Sequence, residues 1–283
     1  MCAAAHQLPL GRDSYSPIIH LAKTVWLSSW GKGLFAMLTA CFDASGHSKQ
    51  PVLVVAGFVS SAEDWTRFDK AWKARLSLDG LTYFQMHQFA QSCGLFKGWK
   101  EEEEKRRCLL SDLMGIILSN TYRKFGAAVI NSDLNATIDG ATRKEFALSA
   151  YGIAGRGAVG NVDEWLKKEK WGGPVDYVFE SGDYNQADLS RRMVEDGFPD
   201  PIFRPKTDRT GRNGVTIPAF TPLQAADILA YEYSLTLKRD RDGTYRRRWP
   251  YDKLDKVPGE IGRFTLHDIR RIGSHFSSPR LLG

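Results

Sequence analysis

From residue 37 onward the apolar residues fall into short, well-bounded runs. Met37, Leu38, Ala40, Cys41 and Phe42 lead up to Asp43, Ser45 and Gly46 follow as a turn, and PVLVVAGFVS occupies 51–60. Two apolar runs split by a turn signal predict neighbouring strands joined by a short loop. The period then changes. Across 61–76, Ser61 is a candidate cap with Asp64 three residues on, and Trp65, Phe68, Trp72 and Leu76 make one apolar stripe. This predicts an amphipathic helix whose aromatics belong to the core.

The same reading predicts a short strand starting at 81 and running to His87, a loop over 94–100, and a helix over 101–120. Glu101–Glu104 lie in the first turn of that helix, where they complement its dipole. A strand is expected at 122–131 and a long helix at 142–169. Within that helix, Gly155, Gly157 and Gly160 spell G-x-G-x-x-G, but no strand leads into them. A dinucleotide-binding turn needs that strand, so the glycines are assigned to close helix packing. A strand over 175–179 ends in Glu180, followed by Ser181, Gly182 and Asp183 as a turn and a helix over 186–197. Two short strands joined by a basic, glycine-containing loop are expected within 201–220. A strong helix follows over 221–237, with Thr221 as cap, Pro222 in the first turn and Gln224 completing a capping box.

Composition changes this picture little. Of the 283 residues, 42% are hydrophobic and 25% charged, as in ordinary globular chains. The four cysteines have no CxxC spacing, which favours reduced thiols and a cytoplasmic protein. His87 and Cys93 could form half of a zinc site, but no second half follows. No segment is apolar enough over sufficient length for a membrane span, so no membrane partner is expected. Residues 1–36 lack the regular runs of the remainder. They are read as an N-terminal extension, loosely docked, with Met37 as the natural start.

Charge placement is more informative. Residues 1–190 carry 21 Lys+Arg against 21 Asp+Glu, so the net charge of +6 lies wholly in 191–283, with 18 against 12. The loop 238–253 holds seven Lys/Arg interleaved with Tyr245, Trp249 and Tyr251. Arg246, Arg247, Arg248 and Trp249 are candidate contacts to a nucleic acid, through phosphates and stacked bases. A solvated charged loop is the plainer alternative.

Three acids carry the candidate chemistry. Asp43 and Glu180 each end a strand. Asp227 lies among Leu223, Ala225, Ala226, Ile228, Leu229 and Ala230 on a helix with little polar surface, where a carboxylate needs a partner. If the two strands pair and the helix packs on them, the carboxylates converge. An all-oxygen cluster of that kind suits Mg²⁺ or Mn²⁺, and two such ions can drive phosphodiester hydrolysis. His87 is weighed as a proton shuttle or phosphate contact, and His47, one residue past Gly46, as lying nearer the presumed site, against the plainer reading of surface or packed imidazoles.

FDASG at 42–46 and LQAADILAY at 223–231 resemble the two hallmark motifs of the domain of unknown function 3800 family. The resemblance covers about residues 37–237 in element order. It implies an α/β, ribonuclease-H-like three-layer fold, with a central mixed β-sheet flanked by helices, over 37–240. A basic C-terminal segment, 241–283, follows. It also implies a site of Asp43, Glu180, Gln224 and Asp227, with Asp183 as an extra ligand. Ala44 stands where the family often has Glu. Strand alternation should point residue 44 away from the face of Asp43.

The resulting expectation is a metal-dependent nuclease using Mg²⁺ or Mn²⁺ on DNA or RNA, with Asp43, Glu180 and Asp227 as ligands. Gln224 would orient a water or the scissile phosphate. The alternatives are a non-catalytic module binding nucleic acid or protein on the same scaffold, and a structural role for all three acids in caps and buried salt bridges.

Overall fold

The structure is a computed structural model that describes residues 37–244 and 246–277. The extension 1–36, with its expected start at Met37, lies outside the described residues apart from Met37 itself, as do Tyr245 and the last six residues.

The two apolar runs form β1 (Leu38–Ser45) and β2 (Val52–Ser61), paired antiparallel with Asp43 opposite Ala56. Gly46, in the connection, has φ +99°, and a Cβ there would lie 2.2 Å from the Val52 carbonyl oxygen. Only glycine fits that position without strain. β2 pairs antiparallel with β3 (Arg123–Ile130), while β4 (Val175–Glu180) runs parallel to β1 on its other side. β5 (Ile202–Arg204) adds parallel to β4, and β8 (Gly259–Arg263) parallel to β3. Among the described residues the sheet is therefore mixed and six-stranded, in the order β5-β4-β1-β2-β3-β8. Part of the basic segment 241–283 is thus built into the sheet as its edge strand.

Helices cover both faces, making an α/β fold. On one face lie α1 (Ala62–Ser77), α3 (Glu103–Asn120) and α8 (Pro222–Arg241), packed on Cys41, Val54 and Phe58. On the other lie α6 (Ala150–Lys168), α7 (Gln186–Glu195) and α10 (Leu266–Ser277), packed on Ala40, Phe42 and Val55. The α1 stripe is core, as its spacing predicts. Trp65 and Phe68 meet edge-on at 5.2 Å, and Phe68 stacks on Trp72 at 4.8 Å. Such pairs add about 1 kcal/mol each to the burial itself. Ser61 caps α1 through the Asp64 amide, as expected. Gly155 and Gly157 sit inside α6 and admit Leu189 and Phe264 closely, in keeping with a packing role.

Several local expectations change. The stretch from 81 is not a strand: Leu81 and Phe84 pack as loop residues, and α2 (Met86–Gln91) takes over. The 94–100 loop begins with a single 3-10 turn. The long helix is split into α5 (Gly140–Glu145) and α6, because Ala147 takes φ +55° and Ser149 then caps α6 through the Gly152 amide. Helix α4 (Asn131–Thr137), unforeseen, follows β3 directly. Within 201–220 the chain makes β5 and then a separate hairpin of β6 (Arg209–Thr210) and β7 (Thr216–Ile217). α8 runs on to Arg241, and α9 (Trp249–Leu254) forms within the expected basic loop. Among the described residues, no helix is long and apolar enough to cross a membrane. Among the described residues, Cys41, Cys93 and Cys108 form no disulfide.

Candidate functional site

Parallel pairing places Phe42 opposite Phe179, so the next residues, Asp43 and Glu180, stand side by side at the strand ends. Phe42 and Phe179 pack on the α6 face, and alternation turns the two acids toward α8. Asp227, in the second turn of α8, completes the group. What unites them was not foreseen. Lys206, two residues beyond β5, inserts its ammonium between the three carboxylates. Nζ lies 2.7 Å from Asp43 Oδ2, 3.1 Å from Asp227 Oδ1 and 3.3 Å from Glu180 Oε2. The three acids therefore converge as the sequence suggests, but around an amine.

Burial makes this arrangement consequential. Asp43, Asp227 and Lys206 are buried, and Glu180 is half-buried. Burial pushes the Asp43 carboxyl up to about 7, with Lys206 opposing the rise and Glu180 adding to it. Burial likewise pushes Asp227 up to about 6, against the pull of Lys206 and the Met86 amide. For Lys206, burial alone would favour the neutral amine. Asp43, Asp227 and Glu180 outweigh it and hold the ammonium charged well above its ordinary range. Ions so desolvated persist only when well paired and hydrogen-bonded.

The remaining oxygens of the two aspartates are held too. Asp43 Oδ1 accepts the Ala44 N–H at 2.7 Å, and Asp227 Oδ2 accepts the Met86 N–H at 2.5 Å. Gln224 is fully buried, and its amide is committed. Oε1 accepts from Trp72 Nε1 and the Phe84 N–H, both at 2.8 Å, and Nε2 donates to the Lys206 carbonyl at 2.7 Å. Gln224 thus ties α1, the 84–86 segment and the Lys206 loop to α8. Oε1 and one Nε2–H are thereby taken and the side chain is fully buried, so Gln224 acts as a positioning residue. Nor does it close a capping box: Thr221 makes no side-chain cap and donates instead to Asp69 Oδ1 at 2.6 Å.

A cavity of about 240 Å³ opens beside the acids, lined by Asp43, Ala44, Tyr151, Glu180, Asp183 and Arg209, among others. Asp183 borders it but does not join the ion cluster; its Oδ1 accepts from the Asn185 amide at 2.8 Å. Gly182, at φ +120°, brings the turn against Arg209, whose Nη2 donates to the Ser181 carbonyl at 2.9 Å. Ala44 packs on the opposite face from Asp43, toward Tyr151, as alternation predicts. Tyr151 is buried close to the acids. Burial, followed by Asp183, Asp43 and Glu180, raises its phenol far above the ordinary range. His87 and His47 are exposed and outside this cavity.

The donor set suits a hard divalent cation in kind, since all three groups are carboxylates. In spacing it is set for the ammonium. Metal–oxygen bonds to Mg²⁺ are about 2.1 Å long, shorter than any of the Lys206 contacts. Among the described residues, no three Asp, Glu, His or Cys side chains stand ready to hold a metal as they are. Asp43, Glu180 and Asp227 could hold one once the ammonium leaves and they close in.

The basic candidates lie elsewhere. From Asp227 to Arg239, α8 rises roughly 18 Å, and Arg246–Trp249 follow beyond its end. Arg247 is spent on Asp255 at 2.6 Å and Asp252 at 3.3 Å, and Arg248 faces Glu232 at 3.3 Å. Trp249 is half-exposed under Lys253, and Arg246 is exposed.

Sequence reasoning missed Lys206 and Tyr151. Lys206 is one of four basic residues between 201 and 214, with nothing local to single it out. Tyr151 follows a helix cap, like many core tyrosines. Comparison of the chain with family models, with curated proteins and with solved structures finds no match.

Proposed function

We propose that the chain is a divalent-cation-dependent nuclease or related phosphodiesterase of ribonuclease-H-like fold, as its resemblance to the domain of unknown function 3800 family implies. One observation carries the reading. Three carboxylates from β1, β4 and α8, far apart in sequence, converge on a single cationic point beside an open cavity. Buried like charges are costly, so a group of this kind calls for a cation in its midst. The strand arrangement supports the fold assignment: β1–β3 form an antiparallel meander and β4–β5 add in parallel beside β1.

In this reading Lys206 holds the acids apart until Mg²⁺ or Mn²⁺ takes its place. Asp43, Glu180 and Asp227 would then hold the ion, which would supply an acidified water and neutralise charge on the phosphate. Gln224 fixes the Lys206 backbone, and the Met86 N–H fixes the Asp227 carboxylate. Arg209 places positive charge at the cavity wall, where a phosphate would enter. Arg246 and Trp249 would hold more distant nucleic acid.

The test is cleavage of labelled single- and double-stranded DNA and RNA with Mn²⁺, by the wild type and by Asp43→Asn and Asp227→Asn. Cleavage that EDTA and either substitution abolish, with folding retained, is expected. Undiminished cleavage by Asp43→Asn would refute the assignment.

Lys206 itself favours a second reading, a non-catalytic nucleic-acid- or protein-binding module in which the ammonium neutralises the acids permanently. That module would bind with salt sensitivity but with indifference to EDTA.

A further inference from the structure

A second, larger cavity of about 490 Å³ adjoins the acid cavity, and buried Tyr151 lines both. Its volume lies within the range of small-ligand and nucleotide sites. Tyr184 stands at this cavity fully exposed. Among the described residues, no ring or hydrogen-bonding partner meets it. It is next in sequence to Asp183, which lines the acid cavity. A large aromatic ring held bare beside a polar cavity offers a stacking surface.

The lining is also cationic. Arg143 and Lys144 line the cavity, against one acid, Asp188. Arg143 Nη1 donates to Asn135 Oδ1 at 2.7 Å, while its Nε–H is buried and has no acceptor among the described residues. A buried guanidinium donor without a partner costs free energy until an acceptor reaches it.

We infer that this cavity is a nucleotide subsite, and that it takes an unpaired nucleotide flanking the phosphate held at the acid centre. The base stacks on Tyr184, and the backbone phosphate meets Arg143 and Lys144. A base inside a duplex cannot do so, because the neighbouring base pairs already cover both of its faces. The preferred substrate is therefore single-stranded nucleic acid. The inference rests on the nuclease reading for the role of the neighbouring acids, and its test does not use cleavage.

Binding of a fluorescent single-stranded oligonucleotide and of the matching duplex is measured in EDTA by anisotropy. Tyr184→Ala is expected to weaken single-strand binding at least about five-fold, with duplex binding unchanged. Tyr184→Phe should bind as the wild type does. Lys144→Ala should lower the slope of log affinity against log salt by about one. Both residues are exposed, so folding is not at risk, and circular dichroism checks it. Equal single-strand binding by wild type and Tyr184→Ala would overturn the inference, as would an equal loss for duplex. If cleavage is never seen but Tyr184→Ala still loses binding, the nuclease reading fails and the subsite stands. If Mn²⁺-dependent cleavage is seen and Tyr184→Ala changes nothing, the reverse holds.

Discussion

Lys206 and its three acids form a set in which each member depends on the others. Replacing the lysine leaves three carboxylates facing one another, two of them buried. Removing one partner of a buried ion pair usually costs about 3–5 kcal/mol. Lys206→Met should therefore lower the melting temperature markedly in EDTA, and Mn²⁺ should restore much of the loss by taking the ammonium's place. Thermal melts of wild type and variant, with and without Mn²⁺, check this. A second buried acid behaves differently. Glu232 is fully buried, neither of its oxygens receives a hydrogen bond from the described residues, and Arg248 Nη1 stands 3.3 Å away. Burial pushes its carboxyl up to about 7 from an ordinary 4.5, against Arg248 and Arg239. The folded state thus keeps the proton longer than the unfolded chain. Stability from this group is full below the unfolded value and falls as pH rises toward 7. Glu232→Gln should remove that slope, so its stability relative to wild type should rise between pH 5 and pH 8, by up to about 3 kcal/mol. Denaturation at the two pH values measures it, and an equal difference at both would contradict the burial cause.

Elements were legible where residues met general rules. The α1 stripe, the β1–β2 pair and the strand ending in Glu180 all follow from period and turn chemistry. Asp227 was legible because an acid in an apolar helix needs a partner. The partner's identity was not legible, because Lys206 reaches the site through a loop whose path no local pattern dictates. Gln224 misleads for the same reason. Its spacing from Thr221 fits a capping box, yet Trp72, Phe84 and Lys206, brought in by the tertiary fold, take its amide. The split between α5 and α6 rests on Ala147 at φ +55°, a residue type that gives no warning of it. At the strand ends, one glycine carries a clear expectation. Gly46→Ala would put a Cβ onto the Val52 carbonyl in a strained conformation. It should destabilise the fold by about 2–4 kcal/mol in urea denaturation, through strain and overpacking together. A shift within 0.5 kcal/mol would mean that the turn relaxes freely.

At the scale of the whole molecule, charge and shape separate into two zones. The acids, Tyr151 and the two adjoining cavities gather at the ends of β1 and β4. The arginines beyond α8 stand roughly 18 Å or more down that helix. Several are already paired with acids, so their hold on phosphates should be modest. Arg246→Ala should reduce the salt slope of nucleic-acid binding by about one without altering preference for single strands. The sixth strand, β8, ties the basic segment into the sheet, so this zone keeps a fixed relation to the acid centre.

On the proposed function, Asp43, Glu180 and Asp227 would form a divalent-cation site whose place an ammonium holds. Crystals soaked in Mn²⁺ and measured for anomalous scattering test it most directly. A peak within ligand distance of all three carboxylates, with the Lys206 ammonium displaced, is the expected result. Lys206 still in contact with the three acids, with no peak among them at millimolar Mn²⁺, would contradict it.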